Sequence, residues 1–595
     1  MAKQQETPAR GREDVVQLMG EIREKSQQLL HDLGERDSAN GASTADPLNL
    51  GSTVLELTAR IMTNPAAVAQ AQLSLWRSYL QLWQATSQQL LGRDVPPVIQ
   101  PERGDRRFRD PAWGDNALFD FIKQSYLLTS RWLVETVNQL EGSDEKTRQK
   151  IDFYTRQFVD AIAPSNFVAT NPEVLRATLE SGGENLLRGL NNLLDDLGRG
   201  RGRLAIKMTD LDAFELGKNI ALTPGKVVFQ TELMQLIQYA PTTEQVYQRP
   251  LLVIPPWINK YYILDLQPKN SFIRYALDQG FTVFVISWVN PDADHAGKTF
   301  EDYMVDGPLA ALDAIAQATG ERETNVVGYC LGGTLLAATL AYLAVKKDRR
   351  IKAATFLASL TDFEDPGELG VFIDEEQLAA MDESMARRGY LEGREMATTF
   401  NMLRANDLIW SFVINNYLMG KEPFPFDLLY WNSDSTRMPS AMHSFYLRKF
   451  YQENRLVEPG GISLCGLPID LREIRISVYM LSTREDHIAP WASTYAATQL
   501  YQGKMTFVLA GSGHIAGVIN PPSVEKYGYW TNEALPPDPR DWLEGATQHA
   551  GSWWPHWRDW NAAHAGKKVA ARVPGDGALT PIEDAPGSYV RARAG

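Results

Sequence analysis

The residues best suited to covalent chemistry lie in Gly328-Tyr329-Cys330-Leu331-Gly332-Gly333. A short β-branched run precedes them and a Leu/Ala-rich run follows. That is the strand, turn and helix context of a nucleophile elbow, G-x-S-x-G, with Cys330 in the serine position. Flanking glycines allow the sharp turn that holds such a side chain clear of the backbone. A helix opening just after the cysteine also favours the thiolate, because its unpaired N–H groups and macrodipole stabilise negative charge. The competing reading is a buried structural cysteine.

A nucleophile in this setting needs a base and an acid to orient that base, arriving later in the chain in the order nucleophile, acid, histidine. Asp486, in LSTREDHIAP, follows a predicted strand over Ile476 to Ser482. His514, in AGSGHIAG, follows another over Lys504 to Ala510. Glu485 competes for the acid's role and His487 for the base's, but His514 has glycines on both sides that let its loop swing over the elbow. Of the 8 histidines, His31 lies in a polar region, His549, His556 and His564 lie beyond the last predicted strand, and His295 and His443 stand at no strand end. The oxyanion hole of this arrangement takes one backbone N–H from the residue after the nucleophile, here Leu331, and one from a loop after an earlier strand. That loop is Pro255-Pro256-Trp257-Ile258-Asn259. Its prolines cannot donate, which leaves Trp257, Ile258 or Asn259, with Ile258 favoured.

A thiolate exchanges with a thioester at nearly equal energy, and the acyl-cysteine it forms stays activated for transfer to an alcohol. Acyl transfer is therefore the leading reaction class, with His514 deprotonating first Cys330 and then an incoming hydroxyl.

The elements that would position these groups are six strand-like runs. They read LLVIPPWIN, FTVFVISWVN, TNVVGYC, IKAATFLASL, ISVYMLS and KMTFVLAG between Leu251 and Gly511. Helical stretches separate most of them, so the order predicts a mostly parallel sheet with crossover helices. Residues 361–475, rich in Trp, Tyr, Phe and Met, exceed any ordinary connection of about 4–6 residues and read as a cap that would exclude water. Upstream, residues 51–203 read as an all-α domain, with Leu73, Trp76, Tyr79, Leu80 and Trp83 at helical spacing, taken as ordinary core. The first 50 residues, with a Ser/Asn/Gly/Asp-rich stretch from Arg36 to Pro47, read as disordered. After Trp553, Trp554, Trp557 and Trp560 the Gly/Pro/Ala-rich end reads as loose.

A chain of 595 residues holds two or three domains at roughly 100–200 residues each, or one large enzyme with insertions. Its 59 Lys and Arg against 73 Asp and Glu leave a net charge of −14. Without a basic block it has no electrostatic footprint for nucleic acid. Only 2 cysteines, Cys330 and Cys465, argue against a disulfide framework and for a reducing, cytoplasmic setting. The N-terminus carries no apolar signal segment. Val326 to Val345 is apolar enough to imitate a membrane span, but its early glycines and Cys330 split it into strand, turn and buried helix.

Several long strings resemble the class I polyhydroxyalkanoate synthases over nearly the whole chain: PPWINKYYILDLQP, GYCLGGT, FDLLYWNSDST, REDHIAPW, GSGHIAGVINPP and EDAPGSYV. The resemblance implies an α/β-hydrolase-like catalytic domain over 204–595 and puts the triad on Cys330, Asp486 and His514, the residues already reached from pattern. It implies a polymerising acyltransferase that joins (R)-3-hydroxyacyl units from their CoA thioesters into a polyester, without metal or cofactor. Tyr329 and the following LGGT point to short-chain, 3-hydroxybutyryl units. A homodimer on cytoplasmic storage granules, with phasin-like proteins as further partners, is implied as well. Asp265 and Trp431 fall within these strings without an evident role. The alternatives are a cysteine-dependent hydrolase or simple acyltransferase of the same fold, and a non-catalytic granule coat protein.

Overall fold

The computed structural model describes residues 17–28, 65–138 and 145–593. The chain divides into two compact units, one of Met1–Asp210 with Phe400–Phe424 and one of Leu211–Thr399 with Pro425–Gly595. Within the segment expected to be disordered, residues 17–28 are helical, and Lys25 Nζ reaches Asn191 Oδ1 at 2.9 Å and Asp195 at 2.5 Å. The expectation is corrected for that stretch. The linker from Arg36 to Pro47 lies outside the described residues.

The first unit is helical: α1 (Pro65–Leu90), α2 (Ala117–Asn138), α3 (Glu145–Ala161), α4 (Pro172–Glu180) and α5 (Glu184–Arg199). Leu82 of α1, Ile99 and Leu128 of α2 form a core with Leu75 and Phe121 against it. The stripe taken as core mostly is not. Leu73, Trp76, Leu80 and Trp83 are 59–69% exposed, while Leu75 and Leu82 turn inward and Tyr79 donates to the Ser125 carbonyl or pairs with Thr129. This correction has a simple cause: α1 carries apolar side chains on two faces at the same spacing, and contact with α2 buries only one. Phe400–Phe424, read as part of the cap, groups instead with these helices. The Tyr417 hydroxyl donates to Asp196 at 2.6 Å and Asn185 Nδ2 to the Leu418 carbonyl at 2.7 Å. A Cβ on Gly189 would stand 1.7 Å from the Tyr417 carbonyl oxygen, so glycine is what lets the two backbones meet.

The second unit is built on an eleven-stranded sheet. In chain order its strands are β1 (Gly225–Gln230), β2 (Met234–Tyr239), β3 (Leu251–Ile254), β4 (Val283–Trp288), β5 (Thr324–Tyr329), β6 (Ile351–Leu357), β7 (Ser477–Thr483), β8 (Met505–Ala510), β9 (Gly528–Thr531), β10 (Thr547–Ala550) and β11 (Glu583–Asp584). In space they run β10-β9-β8-β7-β6-β5-β3-β4-β2-β1-β11. The central strands from β8 to β4 are parallel. Both flanks are antiparallel. All six runs singled out in the sequence are these central parallel strands. β3, β4 and β5 are buried along their whole length, as strands covered on both faces must be, which explains their continuous apolar character.

Register levels the site. Tyr329 pairs with Leu357, Leu357 with Leu481, and Thr483 with Ala510, so Cys330, Asp486 and His514 all follow the carboxyl ends of adjacent or near-adjacent strands. Among the described residues no strand between Leu357 and Ser477 joins this sheet; helices such as Glu375–Arg388 and Ser440–Tyr446 occupy that interval. The stretch resembling a membrane span is β5, Cys330 and the helix α6 (Leu331–Val345), and no helix among the described residues is long and apolar enough to cross a membrane. The C-terminal end is not loose. β11 pairs with β1, Arg591 donates to the Leu216 carbonyl at 3.0 Å, and Lys260 Nζ donates to the Ala592 carbonyl at 2.6 Å. Backbone pairing with an edge strand holds a segment whose side chains carry little apolar signal.

Candidate active site

Cys330 stands between β5 and α6 with φ 53° and ψ −126°, a left-handed backbone that costs a non-glycine residue about 1–3 kcal/mol. Three hydrogen bonds hold it there. Its N–H donates to the Leu357 carbonyl at 2.9 Å, and its carbonyl accepts from Gly333 at 2.9 Å and Thr334 at 3.3 Å. The glycines serve close approach. A Cβ on Gly328 would lie 2.5 Å from Gly333 Cα, and one on Gly332 would lie 2.1 Å from the Ile254 carbonyl oxygen. The second contact brings the elbow against the start of the loop from Pro255 to Asn259. The Cys330 thiol is free and half-buried at the N-terminus of α6.

His514 is buried, and its Nδ1 lies 2.7 Å from Asp486 Oδ2. Cys330 precedes α6 at the end of β5, and His514 follows β8 on the same carboxyl edge of the sheet. The Asp486 carboxylate, whose side chain is 0% exposed, accepts from the N–H groups of Ile488 and Ala489 at 2.9 Å each and from the Thr483 hydroxyl at 3.0 Å. Burial alone would drive its pKa up. The charge and hydrogen bond of His514 and the two backbone N–H groups outweigh it and hold the carboxylate below its ordinary range. Burial likewise opposes a charged His514, yet Asp486 and Cys330 hold the imidazole well above its ordinary value. The observed bond is the one from Asp486 to His514 Nδ1, and it fixes the orientation of the imidazole.

The competitors lie elsewhere. Glu485 is exposed, with its N–H donating to the Ser512 carbonyl at 3.0 Å. His487 is half-buried, with its carbonyl accepting from the Glu368 N–H at 3.2 Å. Cys465 is exposed. Leu331 opens α6 and Ile258 is buried in the loop that abuts the elbow. That loop is held from the segment containing FDLLYWNSDST: the Trp431 indole donates to the Lys260 carbonyl at 2.8 Å, the Thr436 hydroxyl to the Trp257 carbonyl at 3.2 Å, and the Tyr262 hydroxyl to Asp434 at 2.9 Å. Trp431 thus has a role that its sequence position did not announce. Asp265 does too: buried, and pushed up to about 6 by that burial, it binds the hydroxyls of Ser271 and Thr223 at 2.6 and 2.5 Å and so fixes the base of the same loop.

Sequence reasoning missed the supports of His514. Tyr329 stacks on its ring at 5.7 Å, with its hydroxyl 3.4 Å from the His514 carbonyl. The Trp553 and Trp554 indoles donate to the Gly517 and Val518 carbonyls, each at 2.9 Å, in the loop that carries His514. A run of tryptophans signals burial, but not which carbonyls its N–H groups will find.

Comparison with known proteins assigns both halves of the chain. Residues 104–276 match the family described as poly-beta-hydroxybutyrate polymerase (PhaC) N-terminus, and 250–521 match the alpha/beta hydrolase fold. The chain is 52% identical to the poly(3-hydroxyalkanoate) polymerase of Methylorubrum extorquens over 93% of this chain and 91% of that one. It is 50% identical to the poly(3-hydroxyalkanoate) polymerase subunit PhaC of Rhizobium meliloti (strain 1021), over 93% and 90%. With the Cupriavidus necator subunit PhaC it shares 45% over 91% of each. An α/β-hydrolase sheet with a cysteine at its elbow, joined to a matching N-terminal region and similar to these relatives over nine-tenths of their length, places this chain in the poly(3-hydroxyalkanoate) polymerase family.

Proposed function

We propose that this chain is a polymerising acyltransferase that joins (R)-3-hydroxyacyl units, 3-hydroxybutyryl among them, from CoA thioesters into a polyester and releases CoA. The observation that carries the reading is a buried His514 bonded to Asp486 at the carboxyl edge of the sheet whose elbow holds Cys330. In the first half-reaction the imidazole takes the Cys330 proton and the thiolate attacks the thioester carbonyl. The N–H groups of Leu331 and Ile258 receive the oxyanion. The C–S bond to CoA breaks, CoA leaves with the proton held on His514, and the acyl group remains on Cys330. In the second, His514 takes the proton of a 3-hydroxyl group, its oxygen attacks the acyl-cysteine carbonyl, an ester forms and the thiol is restored.

Cysteine suits this cycle because the acyl-cysteine keeps the activation of the incoming thioester. A growing chain on the surface of a cytoplasmic granule, a homodimer and phasin-like neighbours belong to the same proposal, supported by the family strings. Incubation with 3-hydroxybutyryl-CoA tests it: CoA release should accompany insoluble polyester. Release of soluble hydroxy acid would make the chain a cysteine hydrolase, and no release with no rapidly alkylated cysteine would leave only a granule coat protein.

A further inference from the structure

The segment after the helix Ser440–Tyr446 carries two phenols back over the elbow. In the sheet, β5 runs between β3 and β6. Tyr446 packs edge-on against Trp257, three residues past the end of β3, with centroids 5.6 Å apart. Tyr451 packs against Phe363, beyond the end of β6, at 4.7 Å. The two tyrosine rings meet at 6.1 Å. They therefore span from the neighbour on one side of β5 to the neighbour on the other, and Cys330 stands at the end of β5 between them. Both phenols are nearly buried, at 2% and 8% exposed, and no hydrogen bond of either hydroxyl occurs among the described residues. The rings are buried, but neither hydroxyl is among the enclosed unpaired atoms, so both open onto space that a ligand can enter.

Which oxygen they serve follows from the acyl group itself. On the proposed function, on which this inference rests, the thioester carbonyl oxygen belongs to the N–H groups of the elbow and the loop after β3. A 3-hydroxyacyl group has one more oxygen, on C3, two carbons from the carbonyl. We infer that Tyr446 and Tyr451 donate hydrogen bonds to the C3 oxygen of the acyl group carried on Cys330, and so select 3-hydroxyacyl over plain acyl thioesters. Burial first, and then neighbouring charge that includes Cys330, holds both phenols above their ordinary range, so they stay protonated donors.

The experiment compares 3-hydroxybutyryl-CoA with butyryl-CoA, which lacks only that hydroxyl. The rate of acylation of Cys330 is followed as single-turnover CoA release and as the acyl-enzyme mass. Wild type should prefer the hydroxy substrate by about ten-fold for each hydrogen bond lost by the other. Tyr446→Phe and Tyr451→Phe should each lower the ratio and the double variant should bring it near one, with the butyryl-CoA rate at its wild-type value. An unchanged ratio in the double variant overturns the inference, as does an equal slowing of both substrates, which would make the tyrosines merely structural. Failure of wild type to form an acyl-cysteine from either thioester would instead overturn the proposed function, and this selectivity with it.

Discussion

The indole N–H of Trp554 donates to the Val518 carbonyl at 2.9 Å, and its neighbour Trp553 does the same to Gly517, so two buried rings near the C-terminus fix the loop that carries His514. Catalytic geometry is sensitive to displacements of about 1 Å, which can cost ~10²-fold. Replacing either tryptophan by phenylalanine keeps the ring and removes the donor. Trp554→Phe should lower the rate of CoA release up to ~10²-fold while the melting transition shifts little. A wild-type rate in the doubly substituted protein would show that the loop holds His514 without them.

Cys330 is the proposed acyl carrier. Cys330→Ala should abolish CoA release from 3-hydroxybutyryl-CoA with the fold retained, because the substitution removes one sulfur from a half-buried turn whose hydrogen bonds are all from the backbone. Cys330→Ser should be severely slowed, since an alkoxide is much harder to form than a thiolate. Cys465→Ala should behave as wild type. Turnover in the alanine variant would reject the assignment.

On the proposed function, His514 and Asp486 divide the proton work. His514→Gln should lose at least ~10²–10⁴-fold in CoA release, as expected for a removed general base. Asp486→Asn keeps the shape but no longer favours the imidazolium, so acylation of Cys330 should outlast chain growth and an acyl-enzyme should be visible by mass spectrometry. Glu485→Gln, at an exposed position, should be silent. Equal activity of Asp486→Asn and wild type would send the acid's role back to Glu485.

The candidate site was legible because its pattern is local. A strand, Gly-x-Cys-x-Gly and an apolar helix identify Cys330 from one stretch of chain, and the strand-end positions of Asp486 and His514 follow from alternating elements. The six central strands were legible for a related reason: burial on both faces demands unbroken β-branched and aromatic runs. The flanks were not. β2 reads MQLIQY, and its buried Gln235 survives only because Gln230, Glu583 and Ser588 pair with its amide nitrogen. Those partners are hundreds of residues away or on the facing strand. Phe400–Phe424 could not be assigned to the helical unit because Gly189, not any property of the segment itself, admits it.

The Asp486–His514 pair makes stability depend on pH in a stated direction. Asp486 is held below its ordinary pKa, so its contribution is present above about pH 4 and lost as pH falls. His514 is held above its ordinary value, so its contribution is full below about pH 6.5 and is lost as pH rises toward the folded-state value. The excess stability of wild type over His514→Gln should therefore be greatest between about pH 4 and 6.5. Denaturant titrations of the two proteins across pH 3–9 measure it, and a difference that grows above neutrality would contradict the assigned directions.

The two faces of α1 offer the clearest contrast between spacing and burial. Leu82 is 0% exposed and packs with Ile99 and Leu128, whereas Trp76 is 69% exposed although it is larger and recurs on an equally regular stripe. Removing a buried leucine side chain loses its transfer energy and leaves a cavity, so Leu82→Ala should cost about 2–5 kcal/mol. Trp76→Ala removes a side chain that water already reaches and should stay within about 0.5 kcal/mol. Denaturant unfolding of both variants at a protein concentration low enough to avoid self-association decides the point. A large loss for Trp76→Ala with little for Leu82→Ala would mean that α1 is rotated about its axis, with the tryptophan stripe against α2.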